Sequence, residues 1–263
     1  MRLKDKVIVV TGGGNGIGRE LVLELLRRES KVAAIDIDQK GLEQTMELAG
    51  NQGKNLSIHR VDLSKKEEVY KLPEEVMKIH NQVDGLINNA GIIQPFIHVN
   101  NLEYTKIEQV MNINFYGPLY LIKAFLPELL KRPIAHITNV SSMGGFVPVP
   151  GQTIYGASKA ALKLLSEGLH SELKDTNVGV TTVFPGGVAT NITKNSGAEM
   201  KMKDDKKASK MKLLTPQKAA QIIIDATQKE KYKVLAGKDS KFLDFLTRLC
   251  PKKAANIIAK KLS

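Results

Sequence analysis

Tyr155 and Lys159, four residues apart, are the side chains of this 263-residue chain best spaced to do chemistry. On a helix that interval puts both on one face, with Cβ atoms about 5–6 Å apart. A free tyrosine has a pKa of about 10, so a phenol that works as a base near neutral pH needs its phenolate stabilised by roughly three units, about 4 kcal/mol. An ammonium on the same face supplies part of that. Tyr-x-x-x-Lys alone is ordinary decoration of a solvated helix, and two neighbours give it weight. Ser142 lies thirteen residues earlier, directly after the apolar run 134–140, at a strand end where open α/β sheets bind ligands. Asn114 lies in Ile113-Asn114-Phe115-Tyr116-Gly117, within what reads as one uninterrupted helix over 103–130. Asn is a poor helix former, so its place there needs a reason; the plain one is a surface or capping amide. Together they make Tyr155 a candidate base near a strand end suited to ligand binding. Metal chemistry has no such support: His59, His80, His98, His136 and His170 are scattered, and Cys250 is the one cysteine.

A second chemistry sits near the N-terminus. Thr11-Gly12-Gly13-Gly14-Asn15-Gly16-Ile17-Gly18 stands between an apolar run, Lys6 to Val10, and a helical stretch from Gly18 to about Arg28. Glycines there let the backbone turn tightly and approach a pyrophosphate, whose charge the free N–H groups of the helix start receive. Gly12, Gly16 and Gly18 stand four and two apart, which is not the G-x-G-x-x-G spacing, and a glycine turn alone is weak evidence. Asp36 strengthens it, because it ends the second strand where a carboxylate accepts from ribose hydroxyls. A 2′-phosphate at that place would meet a like charge. Asp38 adds a second, and no Arg or Lys occupies 36–38. These residues favour NAD as cofactor, with NADP the weaker alternative.

Such groups need a sheet to hold them. Apolar runs at 6–10, 32–35, 56–61, from Gly85, at 134–140, 178–184 and 232–236 alternate with helical stretches at 18–28, 40–50, 65–80, 103–130, 155–173 and 216–229. Strands separated by helices of this length imply βαβ units and a parallel sheet covered on both faces. The expected architecture is α/β: a single doubly wound, Rossmann-like parallel sheet of about seven strands, over residues 1–237. Two segments break the rhythm. One is 191–214, rich in Lys, Met and Ser. The other is a basic amphipathic tail, 238–263, with Phe242, Phe245, Leu246 and Leu249 on one helical face, a break at Pro251, and a second amphipathic stretch from Ala254 to Leu262.

Five motifs occur in order: Thr11–Gly18, Asn88-Asn89-Ala90-Gly91, Asn114, Ser142 with Tyr155-x-x-x-Lys159, and Pro185-Gly186 with Thr190. Their order and spacing resemble the short-chain dehydrogenase/reductase family, in its short single-domain branch. The motifs span 11–190, the alternating pattern carries the resemblance to about 236, and the tail receives nothing from it. The resemblance implies hydride transfer between a nicotinamide cofactor and a secondary alcohol or ketone. It implies Tyr155 as general acid/base, Lys159 lowering its pKa and holding the nicotinamide ribose, Ser142 bonding the substrate oxygen, and Asn114 ordering a water in the proton path. Ser141 is a rival for the serine role, but the thirteen-residue gap selects Ser142. Further implied cofactor contacts are Gly12, Gly14, Asn15, Gly16, Ile17 and Gly18 in the glycine turn, Asp62 and Leu63 beside the adenine, and Asn89, Ala90 and Gly91 on the adenosine side. Pro185, Gly186, Val188 and Thr190 would line the nicotinamide end. The family commonly forms dimers and tetramers, so a homodimer or homotetramer is implied. In the family the segment after Pro-Gly, here 191–214, closes over the substrate.

Composition narrows the remaining classes. Hydrophobic residues at 42% and charged ones at 25% exclude collagen-like and disordered chains. A lone cysteine fits a reducing compartment, and Met1–Lys6 leads into an apolar strand with no cleavage-site pattern, so a cytoplasmic protein is expected. The net charge of +12 is localised: residues 1–193 hold 21 Lys+Arg against 20 Asp+Glu, residues 194–263 hold 18 against 7. A local excess suggests an acidic partner, either an anionic membrane surface or an acidic carrier. Nucleic acid is not expected, since no aromatic-interleaved basic patch is present. Met143, Phe146, Val147, Val149 and Pro150 near the serine suggest a hydrophobic substrate, acyl-chain or steroid-like. The competing reading is a non-catalytic NAD-binding or scaffold protein that kept the fold.

Overall fold

The computed structural model describes residues 1–190, 192–198 and 213–262. Strand β1 (Val7–Thr11) is wholly buried, and its apolar side chains alternate between two cores, Val7 and Val9 in one, Ile8 and Val10 in the other. A strand apolar on both faces must be covered on both, and each fully buried side chain of this size contributes about 1.5–3 kcal/mol. The other strands are β2 (Lys31–Asp36), β3 (Leu56–Arg60), β4 (Gly85–Asn88), β5 (Ala135–Val140), β6 (Val178–Pro185) and β7 (Lys233–Ala236). All pair in parallel, in the order β3-β2-β1-β4-β5-β6-β7. The expected doubly wound sheet of seven strands is what the chain forms. Its order reverses between β1 and β4, and a crevice opens at the carboxyl ends of those two strands.

The helices are α1 (Gly16–Arg27), α2 (Gln39–Ala49), α3 (Lys66–His80), α4 (Tyr104–Met111), α5 (Gly117–Leu130), α6 (Thr153–Glu172), the single turn α7 (Ile192–Asn195), α8 (Pro216–Gln228), α9 (Lys238–Leu249) and α10 (Pro251–Leu262). Side chains of α1, α2 and α8 fill the core on one face of the sheet; those of α3, α5 and α6 fill the other. No helix among the described residues is long and apolar enough to cross a membrane.

One expectation is corrected here. The stretch 103–130 is not an uninterrupted helix: a π-turn, Asn112–Tyr116, separates α4 from α5, and the Gly117 N–H reaches back five residues to the Asn112 carbonyl. Pro118 supplies the physical reason. It has no N–H to give the Asn114 carbonyl four residues back, and its ring would crowd that oxygen. The ladder widens by one residue instead, and π-turns of this kind often mark functional sites.

The tail also differs in detail. Its second helix begins at Pro251 rather than Ala254, proline being favoured at a first helical position. The buried apolar residue of α9 is Leu243, packed with Val147 and Ile258. The Ser240 hydroxyl donates to the Phe184 carbonyl (2.8 Å), and Lys233 pairs with Asp244 (2.5 Å). One face of the tail therefore docks on its own domain.

Candidate active site

The glycine turn between β1 and α1 is built for close approach. Gly12 has φ +72°, a left-handed conformation that costs glycine little. A methyl on Gly18 would overlap the Gly12 carbonyl oxygen, so the first turn of α1 sits directly on the strand end. The Thr11 hydroxyl accepts the N–H groups of Asn89 and Ala90 (both 3.0 Å), and the Asn89 amide donates back to the Thr11 carbonyl (3.0 Å). These bonds knit the loops after β1 and β4, one on each side of the crevice.

A cleft of about 470 Å³ follows. Among its lining residues are Gly12, Asn15, Gly16, Ile17, Gly18, Asp36, Asp62, Leu63, Asn89, Ala90, Gly91 and Thr190. Six residues expected to touch a dinucleotide lie outside that lining. The Gly14 N–H turns to Asp36 Oδ2 (2.9 Å), Val188 bridges to Leu214, and Gly186 is covered by the Asp239 carboxylate, which a methyl there would strike. Pro185 ends β6, buried. Tyr155 and Lys159 are also outside the lining; Lys159, with Asn114, reaches the cleft at Gly91, where a methyl would come within 3.1 Å of Lys159 Nζ and 3.2 Å of Asn114 Oδ1. The Asp36 carboxylate accepts from Gly14 and, at 3.1 Å, from the Asp38 N–H. Arg19 is turned behind the turn onto the Gly14 and Gly41 carbonyls and the Thr45 hydroxyl.

The four residues singled out for proton transfer converge from three elements. Asn114, fully buried in the π-turn, is not a surface amide. It accepts the Ile92 N–H (2.9 Å) and donates to the Ile92 carbonyl (2.9 Å) and the Ser158 hydroxyl (3.0 Å). Ser158 in turn donates to the Tyr155 carbonyl (2.7 Å). Ser142 caps the short turn after β5, its hydroxyl accepting the Gly144 N–H (3.1 Å). A methyl on Gly144 would lie 3.3 Å from Tyr155 Cε1 and 3.5 Å from Ser142 Oγ, so the tyrosine ring and Ser142 flank the same spot. Ser141 is turned away, donating to the Lys159 carbonyl (2.8 Å). Lys159 is 4% exposed, and its Nζ donates to the Val140 carbonyl (3.0 Å).

The electrostatics depart from the simple picture of an ammonium acidifying a phenol. Burial pushes the Tyr155 phenol above its ordinary value, and a hydrogen bond with Ser142 opposes that rise. Burial also brings Lys159 down to about 8. An enclosed lysine gives up part of its charge rather than carry it without a counter-ion. The four-residue spacing could not show this, because it says nothing of how dry the site is.

Four contributors have no role in the sequence reading, although Thr11 opens the glycine motif. Gln94, fully buried, accepts the N–H groups of Ile154 (2.8 Å) and Tyr155 (3.0 Å) through Oε1. Its carbonyl takes the Gln152 amide (2.7 Å). It thereby caps the start of α6, satisfying donors that a helix N-terminus leaves free. Ser158 links Asn114 to the tyrosine backbone. Asp239 accepts the Gly187 N–H (2.7 Å) from the first turn of α9. Thr11 pins the loop after β4. Asp239, acidic at a helix start, and Thr11, at the head of the glycine motif, had signals of their own.

On the substrate side, Val147 is spent on packing against α9 and α10. A second cavity of about 510 Å³ lies between residues 144–153, α6 and α10, with Val149, Pro150, Ala160 and Ala259 in its walls. The expected lid, 191–214, falls mostly outside the described residues, including Met200, Met202, Met211 and Lys201–Lys212; Leu213 is exposed beside Gly187.

A seven-stranded parallel sheet with a glycine-lined crevice and a Ser-Tyr-Lys cluster at its carboxyl edge defines a class of dinucleotide-fold oxidoreductases. The sequence pattern of the short chain dehydrogenase family matches residues 6–201, and the chain belongs to that family. The dehydrogenase/reductase SDR family member 7B of Xenopus tropicalis is 30% identical over 263 residues, covering 95% of this chain and 83% of the relative. Among solved structures, a short chain dehydrogenase/reductase from Burkholderia phymatum in complex with NAD superposes with a TM-score of 0.83 at 23% identity, over 95% of this chain and 96% of that one. One from Burkholderia cenocepacia in complex with NADP gives 0.81 at 23% identity, over 98% and 99%.

Proposed function

We propose that the protein transfers a hydride between NAD(H) and a hydrophobic secondary alcohol or ketone, with Tyr155 as general acid/base. The observation that carries this reading is the convergence of Ser142, Tyr155, Lys159 and the Asn114–Ser158 pair beside a glycine-lined cleft. When bound, a nicotinamide nucleotide supplies or accepts the hydride, a job for which proteins rely on a cofactor. Gly12, Gly16 and Gly18 with the free N–H groups of α1 would receive its pyrophosphate, Asp36 its adenosine ribose, and Thr190 would stand at its other end.

The chain's own residues handle the proton. The Tyr155 hydroxyl gives a proton to the substrate oxygen in the reductive direction and takes it in the oxidative one. Ser142 holds that oxygen by a hydrogen bond, so charge that develops on it meets a donor already aimed. Lys159 and the Asn114–Ser158 pair form the buried polar path behind the phenol. Asp36 and Asp38 support NAD over NADP, since a 2′-phosphate beside them is repelled and Arg19 is engaged elsewhere. The apolar side chains Ile92, Ile113 and Ile192 in the cleft wall support a hydrophobic substrate.

Tyr155→Phe tests the reading. General acid–base catalysis contributes about 10²–10⁴-fold, so turnover of a secondary-alcohol panel should fall by at least about 10²-fold while NAD affinity stays within a few-fold. Near-normal turnover in that variant removes Tyr155 from the mechanism.

A further inference from the structure

Helix α9 has two seams with different fates. The inner seam, Ser240 and Leu243, is buried against β6 and residues near Val147. The outer seam, Phe242, Phe245 and Leu249, is 57%, 63% and 64% exposed. Residues 242, 245 and 249 lie at helical intervals of three and four, so they form one continuous stripe. Scattered exposed apolar residues are normal, but two phenylalanines and a leucine in line are a patch with an occupant.

The charges around the stripe choose that occupant. Residues 238–263 contain two carboxylates, Asp239 and Asp244, and both are committed inward. Asp239 accepts the Gly187 N–H; Asp244, 15% exposed, pairs with Lys233 and Arg248. Outward stand Lys238, Lys241, Lys252, Lys253 and Lys260, all exposed and none in a salt bridge among the described residues. A second copy of the chain meeting this face across a two-fold axis would oppose cation to cation. An anionic surface would not.

We propose that the outer face of α9, with the lysines at the start of α10, docks the protein on the surface of an anionic lipid bilayer. Phe242, Phe245 and Leu249 enter the boundary between headgroups and acyl chains. Long lysine side chains lie along that boundary with their ammonium groups among lipid phosphates and carboxylates. The inner seam stays on the domain throughout, so docking requires no unfolding of the tail. Because Asp239 ties the start of α9 to the Pro185–Thr190 loop, the docked helix carries that edge of the cleft to the lipid.

Co-sedimentation of the full chain with vesicles of phosphatidylcholine, with or without about 30% phosphatidylserine, tests this. The wild-type protein should pellet at least about tenfold more strongly with the anionic vesicles at about 0.1 M salt and release at about 0.5 M. Phe242→Ser with Phe245→Ser, both exposed in the free protein, should lower partitioning at least about tenfold with an unchanged melting curve. Lys238→Gln with Lys241→Gln should lower it by roughly tenfold or more on anionic vesicles only. Equal pelleting with both vesicle types, or wild-type partitioning by the serine pair, overturns the proposal. So does a wild-type dimer in sedimentation velocity that the serine pair converts to monomer, which would make a second copy the occupant.

Discussion

The two halves of the cleft are held by different means. The half under β1 and β2 is held by backbone: a left-handed glycine, a helix turn set against a strand-end carbonyl, and two loop N–H groups on Thr11. The half around the tyrosine and the Pro-Gly loop is held by side chains arriving from far along the chain. Gln94 caps a helix 61 residues on, and Asp239 holds a loop 52 residues back. Backbone packing of the first kind tolerates no added atom, whereas a side-chain strut can be removed and leave the rest standing. The nucleotide half should therefore fail as a unit, and the other half should loosen piece by piece.

The largest effect is expected where the first half is broken. Gly18→Ala drives a methyl into the Gly12 carbonyl, and only backbone movement relieves it. Overpacking against a rigid neighbour costs about 3 kcal/mol, which in a domain of this size lowers Tm by about 6–12 °C. Thermal melting with and without NAD or ADP checks this: the variant should melt lower and neither ligand should raise its Tm. Ligand shifts equal to those of wild type would mean that the turn gives way more easily than its geometry implies.

The same contrast explains what could be read from the sequence. The strands were legible because a β-branched run such as KVIVV must be buried on both faces, and the nucleotide half because glycine spacing is itself the mechanism. The π-turn was signalled by Pro118, four residues after Asn114, yet a helical reading that weighs only polarity passes over it. Gln94 was not legible. A glutamine between Ile93 and Pro95 has no pattern, and its value lies wholly in which N–H groups a distant helix leaves open. The Tyr155–Lys159 spacing identified neighbours but not their dryness, and burial is what pushes the phenol up. The tail's outer stripe was readable from periodicity; the inner seam at Leu243 required knowing where Val147 lies.

Asp239→Ala should loosen the second half alone. A hydrogen bond to a carboxylate is worth about 1.5–3 kcal/mol, and the partial exposure of Asp239 puts the expected loss at about 1–2 kcal/mol. Calorimetric titration separates the halves: ADP, which reaches only the nucleotide end, should bind as in wild type, while NAD should bind several-fold more weakly. Asp239→Asn keeps an acceptor oxygen and should recover most of the difference. Equal weakening of ADP and NAD would show that the two halves are one cooperative unit and that their separation is only apparent.

The smallest effect serves as the control, because it lies under both halves. His136 is the second residue of the buried strand β5, 1% exposed, bonded through Nε2 to the Thr181 hydroxyl (2.7 Å) with Nδ1 buried and unpaired among the described residues. Burial lowers its pKa to about 4, against about 6.5 in an unfolded chain. The unfolded state therefore binds a proton below about pH 6.5 that the folded state refuses until about pH 4. Stability is full above about pH 6.5 and is lost as pH falls toward about 4. Burial moves His59 and His80 in the same direction, so all three steepen the fall. His136→Gln should remove its own share, about 1 kcal/mol of the loss between pH 7 and pH 5.5, as read by urea unfolding at the two values. At pH 7 it should leave ADP and NAD affinities untouched, since the side chain sits at the amino end of the sheet, paired beside Gly85 and Gly179. A weakened NAD complex with intact ADP binding would mean that strain in the sheet reaches the tyrosine half, and the struts would then be responding to the core beneath them.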